Sequence, residues 1–384
     1  MALKIAFLTG CLERGKDGVG DFTQDLAASL EKRGMTTMVI SLCEPELNQA
    51  KASERAVRIP RSLPLGERFN LVESHLGKFS PGIVSWQFVP YAYHPRGFVQ
   101  ELQPFVKKLK QWNWDLFFHE LWLGDERNSR LKEKIVGYLQ KSRLMHFVSE
   151  LKPNSYQTTN FAYAWRMNKV GWKSAVTPLD GSIPINGNAS RSEFISILQK
   201  ETQLLPALED ALVCTLFGSL HPVWPAEPLL TRLKQAASGM GKQLILLSVG
   251  SLGPCKELWN HLAARYPDIR FIKLGFRSMA EISCVLQQSD FGLATTPYLL
   301  LGKSASVAAM LDHGLPVIVN REDYQLRGYS APPFWAEDRL VRLNPDFTSK
   351  IRTLKRKPPT SNSPQTVQAF LTNLKMDSAW IGLS

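Results

Sequence analysis

Two neighbouring residues, Lys303 and Ser304, are placed to hold a phosphate. They lie in the stretch 290–319, DFGLATTPYLLLGKSASVAAMLDHGLPVIV, which reads as a strand over 291–295, a loop over 298–304 and a helix over 304–313. Pro297 cannot donate to a sheet ladder and ends the strand. Gly314, with Pro316 two residues later, ends the helix. A loop feeding a helix of small residues turns unpaired N–H groups and the positive dipole end toward one point, where an anion is stabilised. Lys303 adds a full charge there. A second group is His119 and Glu120 in FFHELW, which follow an apolar strand at 115–119. They stand where the chain leaves the sheet, the edge at which open α/β sheets take their ligands. Gln87, in SWQFVP, ends another such strand.

Alternating elements must position these residues. In the first half, strands are expected at 4–9, 37–42, 83–89, 115–119, 146–149 and 174–178. Helices are expected at 21–33, 98–111, 131–141 and 156–167; Phe22, Leu26 and Leu30 mark one face of the first. Alternation of this kind implies a parallel sheet covered on both sides. Residues 186–205 begin polar and continue helix-like, and are expected to hold the domain boundary. The pattern then restarts, with strands at 212–217, 243–249 and 269–274, helices at 229–237, 257–266 and 279–288, and the stretch 290–319. The fold class expected is α/β, two Rossmann-like domains facing a cleft. The domains expected are 1–190, 205–345 and a basic, Pro-rich segment with a helix at 346–384. Phe370, Leu371, Leu374, Trp380 and Ile381 are too apolar to leave in water, so this last segment is expected to dock back.

Composition narrows the partners. The chain is 44% hydrophobic and 21% charged, as globular proteins are, with a formal net charge of +12. Basic clusters at 107–110, 127–143 and 350–357 fit an anionic membrane surface, anionic small substrates or a generally basic surface. No nucleic-acid motif accompanies them, so no nucleic-acid partner is expected. No apolar run reaches the length that spans a bilayer, and residues 1–10 lack a signal-peptide layout. Five widely spaced cysteines with no CxxC pair argue against structural zinc and disulfides, and for a cytoplasmic location.

Several of these segments, in their order, resemble the GT-B fold glycosyltransferases, specifically the large family-4-like group (glycosyl transferases group 1). KIAFLTG at 4–10 followed by GVGDFTQDLAASLEKRG at 18–34 is similar to the group's N-terminal domain. IVSWQFVP at 83–90 and WDLFFHELW at 114–122 are similar to strand ends that line its cleft, and 290–319 to its nucleotide-sugar half-site. The resemblance covers roughly residues 4 to 320. It implies a hexosyltransferase-type enzyme that moves a sugar from a nucleotide-sugar donor to a glycan, lipid-linked or small-molecule acceptor without a metal or cofactor. Most of the group retains configuration, and with no unambiguous base in the sequence both retention and inversion stay open. No Asp-x-Asp motif is present to bridge a metal to the diphosphate.

The resemblance also assigns residues. Gly18 and Gly20 would let backbone approach the donor, or serve only as turn glycines before a helix. Gly218 and Ser219, in FGSLHP, would offer an N–H and a hydroxyl to the donor, with His221 nearby. Lys303 and Ser304 would hold the donor phosphates. His119 would contact the transferred sugar or the acceptor. Glu120 would bind sugar hydroxyls or act as a base, or pair at the surface with Arg127 or Arg130. Gln87 would meet a hydroxyl. Trp86, Phe88, Tyr91 and Tyr93 would stack on a sugar or form core and rim, with core expected for Trp86 and Phe88. An acceptor on a lipid carrier would bring the basic stretches against an anionic membrane, at the inner face.

The chain also departs from the group. Its Glu-x7-Glu pair falls on Leu301 and Ala309, and its Arg and Lys early in the second domain are missing from GSLHPVWPAEP, leaving Lys303 and Lys256 as replacements. Two other readings stay open: a non-catalytic GT-B binding or scaffold protein, and a GT-B sugar-nucleotide epimerase or a phosphorylase. No lysine context typical of pyridoxal favours the phosphorylase.

Overall fold

The computed structural model describes residues 3–202 and 207–374. The chain forms two compact units. The first takes the described residues of Met1–Leu179, Gln325–Ala331 and Ser363–Ser384, and the second those of Asp180–Tyr324 and Pro332–Asn362.

The first unit is built on eight strands: β1 (Lys4–Thr9), β2 (Thr36–Glu44), β3 (Lys51–Ala52), β4 (Ala56–Pro60), β5 (Ile83–Phe88), β6 (Trp114–Phe118), β7 (Ser155–Thr158) and β8 (Ser174–Val176). Their order is β3-β4-β2-β1-β5-β6-β7-β8, parallel throughout except for the edge pair β3–β4. β5, IVSWQF, is buried along its whole length, as a strand covered on both faces must be. The helix Gly18–Glu31 follows β1 and buries Phe22, Leu26 and Leu30. The order reverses between β1 and β5, and a ligand crevice forms at such a point.

The second unit repeats the plan with β9 (Ala211–Phe217), β10 (Gln243–Val249), β11 (Arg270–Gly275), β12 (Phe291–Ala294), β13 (Val317–Val319) and β14 (Leu340–Arg342). The order β11-β10-β9-β12-β13-β14 is all parallel and is the 3-2-1-4-5-6 order of a dinucleotide-binding sheet. Its switch point lies between β9 and β12.

Several expectations need correction. The apolar run 146–149 is not a strand: it closes the helix Leu131–Leu151, whose buried face it continues with Phe147 and Val148. The helix expected over 156–167 is instead β7 followed by the helix Phe161–Asn168, which Asn160 caps by accepting the Tyr163 N–H at 2.9 Å. The helix expected over 98–111 breaks into three short pieces around Pro104. The units part between Leu179 and Asp180 rather than within 186–205, because the helix Arg191–Gln199 buries Phe194, Ile197 and Leu198 in the core of the second unit. The segment after 346 is divided: the helix Phe347–Thr353 belongs to the second unit, and the helix Ser363–Asn373 to the first. The latter packs through Phe370, whose ring centroid is 5.8 Å from that of Phe7, and through a 3.1 Å contact between the Ser363 and Ser29 hydroxyls. Leu205, Trp380 and Ile381 lie outside the described residues.

Candidate functional site

At the switch point of the second sheet the ends of β9 and β12 line a cavity of about 370 Å³. From the β9 side come Phe217, Ser219 and His221; from the β12 side come Thr295, Thr296, Lys303, Ser304 and Ser306. The lining contains one lysine and five hydroxyls, and no carboxylate. Lys303 is half-buried at the end of the 3-10 turn Tyr298–Lys303, and Ser304 is the N-cap of the helix Ala305–Asp312. Ser304 Oγ accepts the Val307 N–H at 3.4 Å and lies 3.1 Å from Ser306 Oγ. Thr296 donates to the same oxygen at 3.4 Å. His221 is held below the usual imidazole range by burial and by the Arg321 guanidinium, so it is a neutral hydrogen-bonding group near pH 7 rather than a cation.

Gly218 has a different task from the one expected. Its N–H is donated to the Val249 carbonyl at 2.9 Å, and at φ 86° it makes a left-handed turn that carries the chain from β9 into the cavity wall. Lys256 is exposed at the start of the helix Lys256–Arg265 and does not line the cavity. Leu301 and Ala309 are core residues, each 1% exposed. The backbone at Gly181 passes so close to Ala309 that a Cβ on Gly181 would lie 2.4 Å from its Cα. No room for a longer side chain remains there.

The first unit presents a different switch point. Asp17 caps the helix Gly18–Glu31, its Oδ1 accepting the N–H groups of Val19 at 2.9 Å and Gly20 at 3.3 Å. Those donors are the ones an anion would need. Gly20 is explained by packing: a Cβ there would sit 2.0 Å from the Cys11 carbonyl oxygen, whereas Gly18 has nothing within 4 Å. At Gly20 the cap and the packing against Cys11 account for the glycine, as in the turn-glycine alternative, whereas the space at Gly18 is open. Burial raises the Asp17 carboxyl, its two N–H partners pull it down, and Glu44 and Glu120 add to the rise.

Asp17, which sequence reasoning passed over, thus stands near Glu120, and so does Tyr91, whose phenol burial and Glu120 both raise. Glu120 itself is half-buried beyond the end of β6. His119, beside it, is buried, with Phe22 edge-on at a centroid distance of 5.4 Å and Phe117 stacked at 4.7 Å. Its Nε2 is 2.8 Å from Gln87 Oε1. Gln87 is 1% exposed and donates its Nε2 to Ser85 Oγ at 2.8 Å, so both ends of its amide are engaged and it backs His119 instead of meeting a hydroxyl. Trp86 and Phe88 are core, and Tyr93 accepts the Trp86 indole N–H at 2.7 Å.

No family model matches the sequence, and no curated protein is similar enough in sequence to match. Solved structures are similar in fold. A glycosyltransferase from Rickettsia africae ESF-5 is 13% identical with a TM-score of 0.56, over 97% of this chain and 94% of that one. The catalytic domain of starch synthase IV from Arabidopsis thaliana, bound to ADP and acarbose, is 11% identical with a TM-score of 0.51, over 99% and 94%. HepE from Anabaena, in complex with UDP and glucose, is 15% identical with a TM-score of 0.51, over 83% and 80%. With two sheets in this strand order, parallel apart from the β3–β4 edge pair, the chain has the GT-B fold that these glycosyltransferases share, at 11–15% sequence identity to them.

Proposed function

We propose that this protein is a glycosyltransferase, of hexosyltransferase type, that uses a nucleotide-diphosphate sugar as donor. One observation carries the proposal: the cavity at the β9/β12 switch point joins a lysine, a helix start and five hydroxyls with no carboxylate among its lining residues. That set stabilises a diphosphate and the charge it gains as a leaving group. Lys303 would neutralise part of that charge. Ser219, Thr296 and Ser306 would donate to phosphate oxygens, while Ser304 completes the helix start. His119 and Glu120, at the carboxyl edge of the first sheet, would meet the transferred sugar or the acceptor. Retention of configuration and independence of metal belong to the same proposal, since a lysine and backbone donors can supply the stabilisation that a metal would otherwise give. The structures of HepE with UDP and of starch synthase IV with ADP support a nucleoside diphosphate as the ligand class.

The acceptor is proposed to be a glycan or lipid-linked sugar. The helix Leu131–Leu151 favours the lipid-linked form, because Leu131, Ile135 and Tyr138 are 73%, 54% and 72% exposed on a helix that also carries Lys132, Lys134 and Arg143. An apolar face with a basic flank suits the surface of an anionic leaflet, which places the protein at the inner face of the cytoplasmic membrane in this proposal. No helix among the described residues is long and apolar enough to cross a membrane. Salt-sensitive flotation with anionic vesicles, lost in Ile135→Asp, is the expected result.

Thermal shift with UDP-, GDP- and ADP-sugars, followed by product analysis, tests the proposal. A shift with one donor and sugar transfer that persists in chelator is expected. No shift with any donor would favour a non-catalytic binding or scaffold protein. Conversion of the donor without an acceptor would favour an epimerase.

A further inference from the structure

The core of the first sheet contains a row of polar side chains where apolar ones are the rule. Ser85, Asp115 and Ser155 are register partners on β5, β6 and β7, with Gln87 and Gln157 two residues further along the same face. Asp115 is wholly buried. Its Oδ2 accepts from Ser85 Oγ at 2.7 Å, and its Oδ1 from Ser155 Oγ at 2.6 Å and Gln157 Nε2 at 3.2 Å. These three partners are neutral. Thr177 donates to Gln157 Oε1 at 2.5 Å, and Asn373 to Thr177 at 2.9 Å, which ties the row to the helix Ser363–Asn373. Burial lifts the Asp115 carboxyl to about 6 against the pull of its three donors, so it is mainly ionised at neutral pH. A buried carboxylate without a cation costs several kcal/mol, and an apolar residue of that size would serve stability better.

The direction of the hydrogen bonds shows what the charge does. Ser85 has one hydroxyl proton and spends it on the carboxylate, so toward Gln87 its oxygen only accepts. Gln87 must therefore present its NH2 to Ser85, which leaves its carbonyl oxygen facing His119 Nε2. That oxygen accepts, so Nε2 must carry a proton. One ionised carboxylate sets the polarity of every link as far as the histidine.

We propose that Asp115 is a positioning residue which, through Ser85 and Gln87, fixes the ring orientation of His119 and holds its Nε2 as a hydrogen-bond donor. Nε2 is thereby committed to the Gln87 carbonyl oxygen in the protein interior. The inference deepens the reading of His119 as a sugar or acceptor contact and rests on it.

Nuclear magnetic resonance of the full-length protein carrying 15N-histidine tests it without turnover. His119 is assigned by the resonance that His119→Gln removes. In the wild type its Nε2 proton is expected as a low-field signal that exchanges slowly with water. Ser85→Ala cuts the link between Gln87 and Asp115 and is expected to lose that signal, while Ser85→Thr, which keeps the hydroxyl, restores it. Ser155→Ala removes a donor to Asp115 outside this path and is expected to leave the signal in place. A folded Ser85→Ala protein with the wild-type signal overturns the proposal. So does a wild-type protein with no protected His119 Nε2 proton, a result that needs no variant. If the signal behaves as expected while no nucleotide sugar is consumed, the positioning role stands and the assignment as a transferase fails.

Discussion

The two sheets follow one strand order around their switch points and treat those points in opposite ways. After β1, the first helix start is closed by the protein itself: Asp17 takes the N–H groups of Val19 and Gly20, and Gly20 is pressed against the Cys11 carbonyl. After β12, the helix start is capped by Ser304, which takes the Val307 N–H, and it borders a cavity lined by Lys303 and five hydroxyls. The first sheet spends its polar residues inside, on a buried carboxylate chain that ends at His119. The second spends them on the cavity wall. Shared topology therefore does not give shared chemistry. One switch point is closed by its own carboxylate, and the other borders a cavity lined by a lysine and five hydroxyls, which the proposed function takes as an anion site.

The largest test of this contrast is steric. Gly20→Ala should destabilise the first unit by about 3 kcal/mol, because the new methyl meets backbone that cannot rotate away. Gly18→Ala, two residues earlier with open space around it, should change the denaturant midpoint little and leave nucleotide binding as it was. A loss of nucleotide affinity in Gly18→Ala would break the comparison, since it would put the anion at the first helix start.

A smaller effect should follow pH. Asp115 is raised in the folded state to about 6, so between its unfolded and folded values the native protein binds the extra proton. Stability is then gained as pH falls through that window and lost as pH rises. Between about pH 7 and pH 5 the wild type should gain roughly 1 kcal/mol relative to Asp115→Asn, read from paired urea curves. A difference that does not move with pH would mean that Asp115 carries no buried charge. Smallest of all should be Asp17→Asn, which keeps an N-cap of equal quality and should leave stability within about 0.5 kcal/mol.

The second sheet was largely legible in the sequence because its strands are apolar runs ended by Gly or Pro, and the stretch 290–319 carries its own stop signals. Lys303 and Ser304 were visible for the same local reason. β7 was missed because SYQT is polar: Ser155 and Gln157 face Asp115, forty and forty-two residues away, and no local pattern announces that use. HFVS at 146–149 was misread because the buried side of a helix passes for a short strand when its length is not seen. Gln87 was picked out for its place at a strand end, but its role depends on His119, thirty-two residues away. Gly20 was picked out for approach to a donor, and the packing reason for a glycine there depends on the Cys11 carbonyl, which no local pattern announces.

The central claim is that the cavity at the end of β12 holds a diphosphate through Lys303. Calorimetric titration of UDP, GDP and ADP into the wild type and Lys303→Ala tests it most directly. The wild type should bind at least one of them, and Lys303→Ala should weaken that Kd by about 10- to 100-fold, the effect of one charge-assisted hydrogen bond. A folded Lys303→Ala protein that binds the same nucleotide with unchanged Kd would contradict the claim.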